Sequence, residues 1–134
     1  TLRAHKDPVM KVDFTAVIPK DYCDGTMRVE LYRRISSLKT EKERDELLAR
    51  LKDAYESVPA ELKNLTNVGL IKNLAAAMNA TTVTLLRSGA KIEFENVKDV
   101  KAGFEKHGGV FNAVKSPLIV FDSVKSLMKY LTAE

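Results

Sequence analysis

Few residues in this chain are placed to do chemistry, and the clearest of them share one short stretch. Arg28 and Tyr32 lie a helical turn apart on a segment where Met27, Leu31, Ile35 and Leu38 recur at i, i+4, i+8 and i+11. At about 100° per residue both fall beside that apolar stripe, while Glu30 and Arg33 point away from it. A solvated helix has no need of an arginine at its core margin. Arg28 is therefore expected to hold a carboxylate partner, with Asp21 and Asp24 in the preceding loop the nearest candidates and Tyr32 packed alongside. Its chemistry would be structural rather than catalytic.

Reactive chemistry finds less to stand on. The single cysteine, Cys23, and the two histidines, His5 and His107, lie far apart in sequence. A Cys23–His107 nucleophile pair has no local signature, and Cys23 reads more simply as a small loop or core residue. The same three residues lack metal-ligand spacing. Gly103, Gly108 and Gly109 have neither the spacing nor the lysine of a phosphate loop, and the last two read as a helix stop. No catalytic, metal-binding or cofactor-binding residue is assigned, no cofactor is expected, and the chain is expected not to be an enzyme.

Charged residues allow two binding readings. Glu41, Glu43, Asp45, Glu46, Asp53, Glu56 and Glu61 crowd one helical segment. A solvated face with i,i+4 partners such as Lys42 and Glu46 accounts for the pattern, and a docking surface for a basic partner is the sharper alternative. Arg33, Arg34 and Lys39 could instead contact phosphate, which would make the chain a small nucleic-acid-binding module. Glu30 interrupts that cluster, however, and no glycine-aromatic RNA motif accompanies it.

The elements that position these residues follow from periodicity. Met10, Val12, Phe14, Ala16 and Ile18 alternate with polar residues as a half-buried strand that Pro19 ends. A helix is expected over residues 26–38. Thr40 and Glu43 form a capping box for a second, with Leu47, Leu51, Ala54 and Val58 inward. Pro59 opens a third helix to about residue 78, with Leu65, Val68, Ile71, Ala75 and Met78 inward; Thr66, Asn67 and Gly69 permit a kink. Residues 82–87 and 91–95 flank Ser88-Gly89 as a β-hairpin. Asn96 would cap a short helix over residues 97–106, residues 110–114 and 118–121 are strands, and Asp122 would cap a last helix with Val124, Leu127, Met128 and Leu131 inward. Helices early and antiparallel strands late give an α+β fold: an N-terminal strand and three helices, then a hairpin-containing antiparallel sheet with short helices. Residues 1–9 are expected to be a linker from upstream polypeptide and residues 10–134 one domain, with lobes at 10–80 and 81–134.

Composition excludes whole classes. A chain of 134 residues, 45% hydrophobic and 30% charged, suits one globular domain but not a translocation motor. No stretch approaches the roughly 20 apolar residues of a membrane span. Residues 1–8 start without methionine or a signal core, as a cut inside a longer polypeptide would. One cysteine fits the reducing cytoplasm. The net charge of +4, from 22 basic and 18 acidic residues, is too dispersed to track phosphates.

The ordered motifs resemble one family, the C-terminal domain of the bacterial transcription-repair coupling factor. That family opens with a strand ending in Pro, two residues and an aromatic. An Arg-x-x-x-Tyr-basic-basic-apolar helix follows, then Lys-Thr-x-x-Glu and an acidic helix. Here these read Pro19-Lys20-Asp21-Tyr22, Arg28 to Ile35 with Tyr32-Arg33-Arg34, and Lys39-Thr40-Glu41-Lys42-Glu43. The family's next helix matches Pro59-Ala60-Glu61-Leu62 and Val68-Gly69-Leu70-Ile71-Lys72. Two departures stand out. The loop from Tyr22 to Arg28 is one residue shorter, and the family's Asp-Arg-aromatic-Gly appears as Asp53-Ala54-Tyr55-Glu56, which leaves the helix without its glycine cap.

The resemblance implies a non-catalytic regulatory domain in transcription-coupled DNA repair. Its parent would be an ATP-dependent DNA translocase whose upstream motor contacts the DNA. The domain would dock on a module of the same polypeptide resembling the excision-repair protein UvrB, mask the recruitment of UvrA, and restrain the motor until RNA polymerase is engaged. Asp45, Asp53 and Glu56 are the docking candidates, since they project from a helix whose apolar stripe must face inward. Pro19, Tyr22, Arg28 and Tyr32 form the structural motif.

Overall fold

The computed structural model describes residues 6–113 and 115–133. His5, most of the expected linker and Val114 of an expected strand thus lie outside the described residues; Lys6 and Asp7 are exposed and Pro8 is buried. The chain folds as α+β, with two compact units: Thr15–Asn73, and Thr1–Phe14 joined with Leu74–Glu134. The sequence places the change of character near residue 80 instead. The first strand accounts for the difference, because it pairs with a strand that follows all three helices and so leaves the helical stretch as a unit in itself.

The helical unit is set by its caps. Helix α1 (Gly25–Ser36) starts at Asp24, whose carboxylate accepts from the Met27 N–H at 2.8 Å. Helix α2 (Glu41–Tyr55) carries the expected box: Thr40 Oγ1 accepts from Glu43 N at 3.1 Å, and Glu43 Oε1 accepts from Thr40 N at 3.2 Å and Lys39 N at 2.8 Å. Helix α3 (Ala60–Ala77) is continuous, so the break that Thr66 and Gly69 permit does not occur. Thr66 Oγ1 donates back to the Lys63 carbonyl at 2.7 Å, which lets a hydroxyl sit fully buried. Gly69 is where α1 comes closest, for a Cβ there would lie 2.8 Å from Ile35 Cγ2.

Leu31, Ile35, Leu38, Leu47, Leu51, Leu62, Leu70 and Ile71 are buried. Two expected inward positions are exposed. Met27 is 40% exposed and Ala54 is exposed, because α2 ends one residue later and its stripe closes at Leu51. On α3, Leu65 and Val68 are only half-buried, while Leu62, Thr66 and Leu70 are fully buried. A helix with apolar residues on most faces gives periodicity little to choose between.

The second unit is a five-stranded sheet ordered β1-β2-β3-β5-β4. Strand β1 (Val9–Val12) runs parallel to β2 (Ala80–Leu86), and β3 (Gly89–Phe94), β4 (Val110–Asn112) and β5 (Leu118–Phe121) complete it antiparallel. The expected nine-residue strand is cut to four. Asp13 ties its end across the β2–β3 turn, donating from N to the Leu85 carbonyl and accepting from Arg87 N at 2.9 Å. Register puts Met10, Val12, Val83, Leu85, Ala90, Ile92, Ile119, Phe121 and Phe111 on one face.

Helix α4 (Val124–Thr132) packs on β3 and β5, with Tyr130 against Phe121 at 5.3 Å between ring centroids. Its cap is Ser123, which accepts from Ser126 N; Asp122, the expected cap, accepts from the Ser126 hydroxyl one residue outside. The helix expected over 97–106 is two 3-10 turns, Val97–Asp99 and Phe104–His107, because Gly103 adopts φ 92° between them. The stretch between the turns is clasped to α4 instead. Lys101 Nζ donates to the Tyr130 and Ala133 carbonyls, and the Tyr130 hydroxyl donates to the Lys101 carbonyl. No helix among the described residues is long and apolar enough to cross a membrane.

Two expectations follow from these geometries. Glu56 caps α2 at φ 67°, a left-handed conformation that costs a side-chain-bearing residue. Glu56→Gly should raise stability by about 0.5–1 kcal/mol, the strain relieved less the extra chain entropy, read as a higher denaturation midpoint. Burial pushes the Tyr130 phenol up to about 12 from its ordinary 10.0. Folding thus favours the protonated phenol, so its contribution is intact below pH 10 and is lost as pH rises toward 12. Tyr130→Phe should flatten the alkaline part of a stability–pH profile.

Candidate functional site

The site lies on the helical unit, where a braced turn meets the end of α2. After Pro19 the chain turns back, with Tyr22 N donating to the Pro19 carbonyl at 3.1 Å. Three successive carbonyls point inward here without a strand partner, and Arg28 answers all of them. Its Nη1 donates to Ile18 O at 2.9 Å, and its Nη2 donates to Pro19 O at 2.7 Å and Lys20 O at 2.6 Å. The planar fork of guanidinium donors suits such a cluster. The expected partner was a carboxylate of the Asp21–Asp24 loop, and this is corrected: Asp24 is spent on capping α1, and the guanidinium bonds to backbone instead.

This clamp positions Tyr22. Its ring lies against Tyr55 at the C-terminal end of α2, 4.8 Å between centroids and tilted 39°. Its hydroxyl donates to the Ser57 carbonyl at 2.9 Å. Burial, then the neighbouring Tyr55 and Cys23, raise the Tyr22 phenol above its ordinary value, so it stays a donor. Of the four motif residues, Pro19, Tyr22 and Arg28 are brought together. Tyr32 remains 41% exposed on α1 beside Val29, at 61%.

The docking candidates on α2 separate into two kinds. Asp45 is engaged, its Oδ1 3.1 Å from the Arg44 guanidinium. Asp53 and Glu56 are exposed, and among the described residues neither has an ion-pair partner. Both stand beside the Tyr22–Tyr55 contact, so their backbone is held. Lys42 and Lys52 are exposed on the same helix, which keeps its net field small.

Sequence reasoning missed Arg44. Its side chain is only 16% exposed and donates to Asn67 Oδ1 at 3.1 Å on α3 as well as to Glu41 and Asp45. The signal was available, since Arg44 precedes Leu47 by three residues and sits on the margin of that stripe just as Arg28 sits on its own. The nucleic-acid alternative finds little support. Glu30 lies 3.6 Å from Arg33 and 3.2 Å from Arg34, so one carboxylate is shared by both and offsets half of their charge. A shallow groove between α1 and α2 mixes Arg34 and Arg50 with Glu43 and Glu46. Among the described residues, no group of three His, Cys, Asp or Glu could hold a metal.

Comparison with known proteins bears on this geometry. The family described as "TRCF domain" matches residues 12–104, which takes in the whole helical unit. A transcription-repair-coupling factor of Borreliella burgdorferi is 23% identical over 92 residues, 68% of this chain. One of Rickettsia bellii is 28% identical over 94 residues, 69% of this chain. The chain spans 8% of the length of each of these relatives. A crystal structure of the C-terminal domain of a transcription-repair coupling factor superposes with a TM-score of 0.74 at 20% identity, covering 98% of this chain and 91% of that one. The fold is the same.

The clamp can be tested directly. Arg28→Ala strands the partly buried Ile18 carbonyl, leaves the Pro19 carbonyl to Tyr22 N alone and loses the packing of the arginine stem, and should cost about 2 kcal/mol in a denaturation midpoint. Arg28→Lys, whose point charge cannot reach three carbonyls at once, should recover less than half of the loss. Equal stability of all three proteins would show that the clamp is incidental.

Proposed function

The chain belongs to the TRCF domain family, and from that premise we propose that it acts as a non-catalytic regulatory domain by occlusion. The parent polypeptide is an ATP-dependent DNA translocase of transcription-coupled repair, and its motor makes the DNA contacts. The domain docks on the UvrB-like module of that polypeptide, covers the surface that recruits UvrA, and restrains the motor. Engagement of RNA polymerase shifts the population to the released state. The protein works in the cytoplasm, with no membrane and no cofactor of its own. Residues 10–134 serve as the functional domain, and residues 1–9 link it to what precedes.

The observation that supports this most is the state of Asp53 and Glu56. Two carboxylates stay exposed, with no ion-pair partner among the described residues, at the braced end of α2, where a basic partner meets them at no cost in loop ordering. Asp45 joins them more weakly, because Arg44 already holds it. Contacts of this kind set association rate and salt sensitivity more than raw affinity, which suits an interface that must open.

The experiment mixes this chain with the separate UvrB-like module and follows capture of UvrA. Added wild-type chain should suppress capture. Asp53→Lys with Glu56→Lys should relieve suppression about tenfold in the concentration required, a loss of roughly 1.4 kcal/mol, while Asp45→Lys alone should do less. Suppression that survives the double reversal would remove α2 as the docking face. Capture that wild-type chain never suppresses would end the occlusion reading.

A further inference from the structure

We propose that the outer face of α1 is a docking site for a helix of a partner protein, apolar along one stripe and acidic beside it. This surface belongs to the helical unit and rests neither on the α2 carboxylates nor on the occlusion reading. Helix α1 spends Leu31 and Ile35 on the core. Gly25, Val29, Tyr32 and Ser36 form a second stripe, spaced i, i+4, i+7 and i+11 and turned away from the first. All four are exposed. Arg33 borders the stripe one turn after Val29, with 75% of its side chain in solvent.

The shape of the stripe suits a crossing helix. Small residues stand at both ends, and a Cβ on Gly25 would meet nothing within 4 Å. A second helix can therefore lie across Val29 and Tyr32 without meeting bulk to either side. Tyrosine and arginine are the side chains on which binding energy concentrates, since they join a large flat area to a polar tip. Tyr32 has that tip to spare, for among the described residues its hydroxyl makes no hydrogen bond. Ser36 turns its own hydroxyl back to the Tyr32 carbonyl at 2.8 Å and so presents no free donor there.

Charge decides the occupant. Within α1, Glu30 is the one carboxylate against three arginines. Arg28 is spent on backbone carbonyls, and Arg34 holds Glu30 more closely than Arg33 does, at 3.2 Å against 3.6 Å. Arg33 thus keeps charge for a partner, and exposed Lys39 adds to the same end of the helix. A partner carboxylate can meet Arg33 and the Tyr32 hydroxyl together while apolar side chains cover Val29. A second copy fits poorly. Laid antiparallel with Val29 on Tyr32, it would set Arg33 opposite Arg28 twice over. An acidic helix of a different protein is therefore preferred over self-pairing.

The test titrates the chain with a hydrocarbon-stapled peptide of about four helical turns, leucine on one stripe and Glu beside it. A twin carries Lys in place of Glu, and backbone amide shifts are followed for both. The acidic peptide should give saturable shifts centred on residues 25–36, and the basic twin should bind about tenfold more weakly. Val29→Ser with Tyr32→Ala should weaken the acidic peptide about tenfold, and Tyr32→Phe about threefold. Arg33→Glu should reverse the preference, and at so exposed a side chain it keeps the test valid if the double variant perturbs the fold. Asp53→Lys with Glu56→Lys should change nothing. Shifts that map elsewhere, equal binding of both peptides, sensitivity to the α2 reversal, or no saturation would overturn the proposal. So would a dimer in sedimentation that Val29→Ser dissolves, which would make a second copy the occupant.

Discussion

Three carbonyl oxygens in a row, on Ile18, Pro19 and Lys20, are the constraint on which the helical unit turns. Proline stops the extended run, so these acceptors have no ladder to join; Tyr22 N reaches the Pro19 carbonyl, and a partly buried Ile18 carbonyl left unpaired would be costly. One guanidinium serves all three. Arg28 can reach them because Asp24 starts α1 at a fixed point and places position 28 one turn in. The turn so held carries Tyr22 onto Tyr55, and the Tyr22 hydroxyl then holds the Ser57 carbonyl just past the end of α2. Loop, first helix and second helix are thereby tied through two side chains. Pro19, Tyr22 and Arg28 are thus tied into one braced turn.

The end of α2 carries a side chain where a glycine cap would be free of strain. A glycine would take the left-handed cap without strain; Glu56 takes it at φ 67°. The unit tolerates this because Tyr55, immediately before the cap, is fixed by Tyr22, and Pro59 starts α3 three residues later by offering its carbonyl to Leu62 and Lys63. The strained residue also projects a carboxylate where α2 ends.

How much was legible depended on how local the cause was. Caps and hairpins are decided within a few residues, so the Thr40–Glu43 box and the Ser88-Gly89 turn could be read directly, and the Ser123 cap was missed by a single position. The α+β class followed from the order of the patterns. Non-local choices were not readable. Alternation through Ile18 continues as a rhythm of burial, but hydrogen bonding stops at Val12, and that depends on where Leu85 ends its own strand. The partner of Arg28 was misjudged for the same reason. Charge logic favoured a carboxylate, whereas the turn created a stronger demand from carbonyls that sequence does not display. Arg44 obeyed the rule applied to Arg28 and was overlooked among the many charges of its helix.

On the proposed docking reading, α2 would recognise its partner by the position of its carboxylates and not by a net field. On α2, Lys42 and Lys52 stand among Asp45, Asp53 and Glu56, so there is little net field to draw in any cation at a distance. Discrimination there must come from where individual carboxylates stand, and braced positions serve that purpose better than a mobile acidic run would.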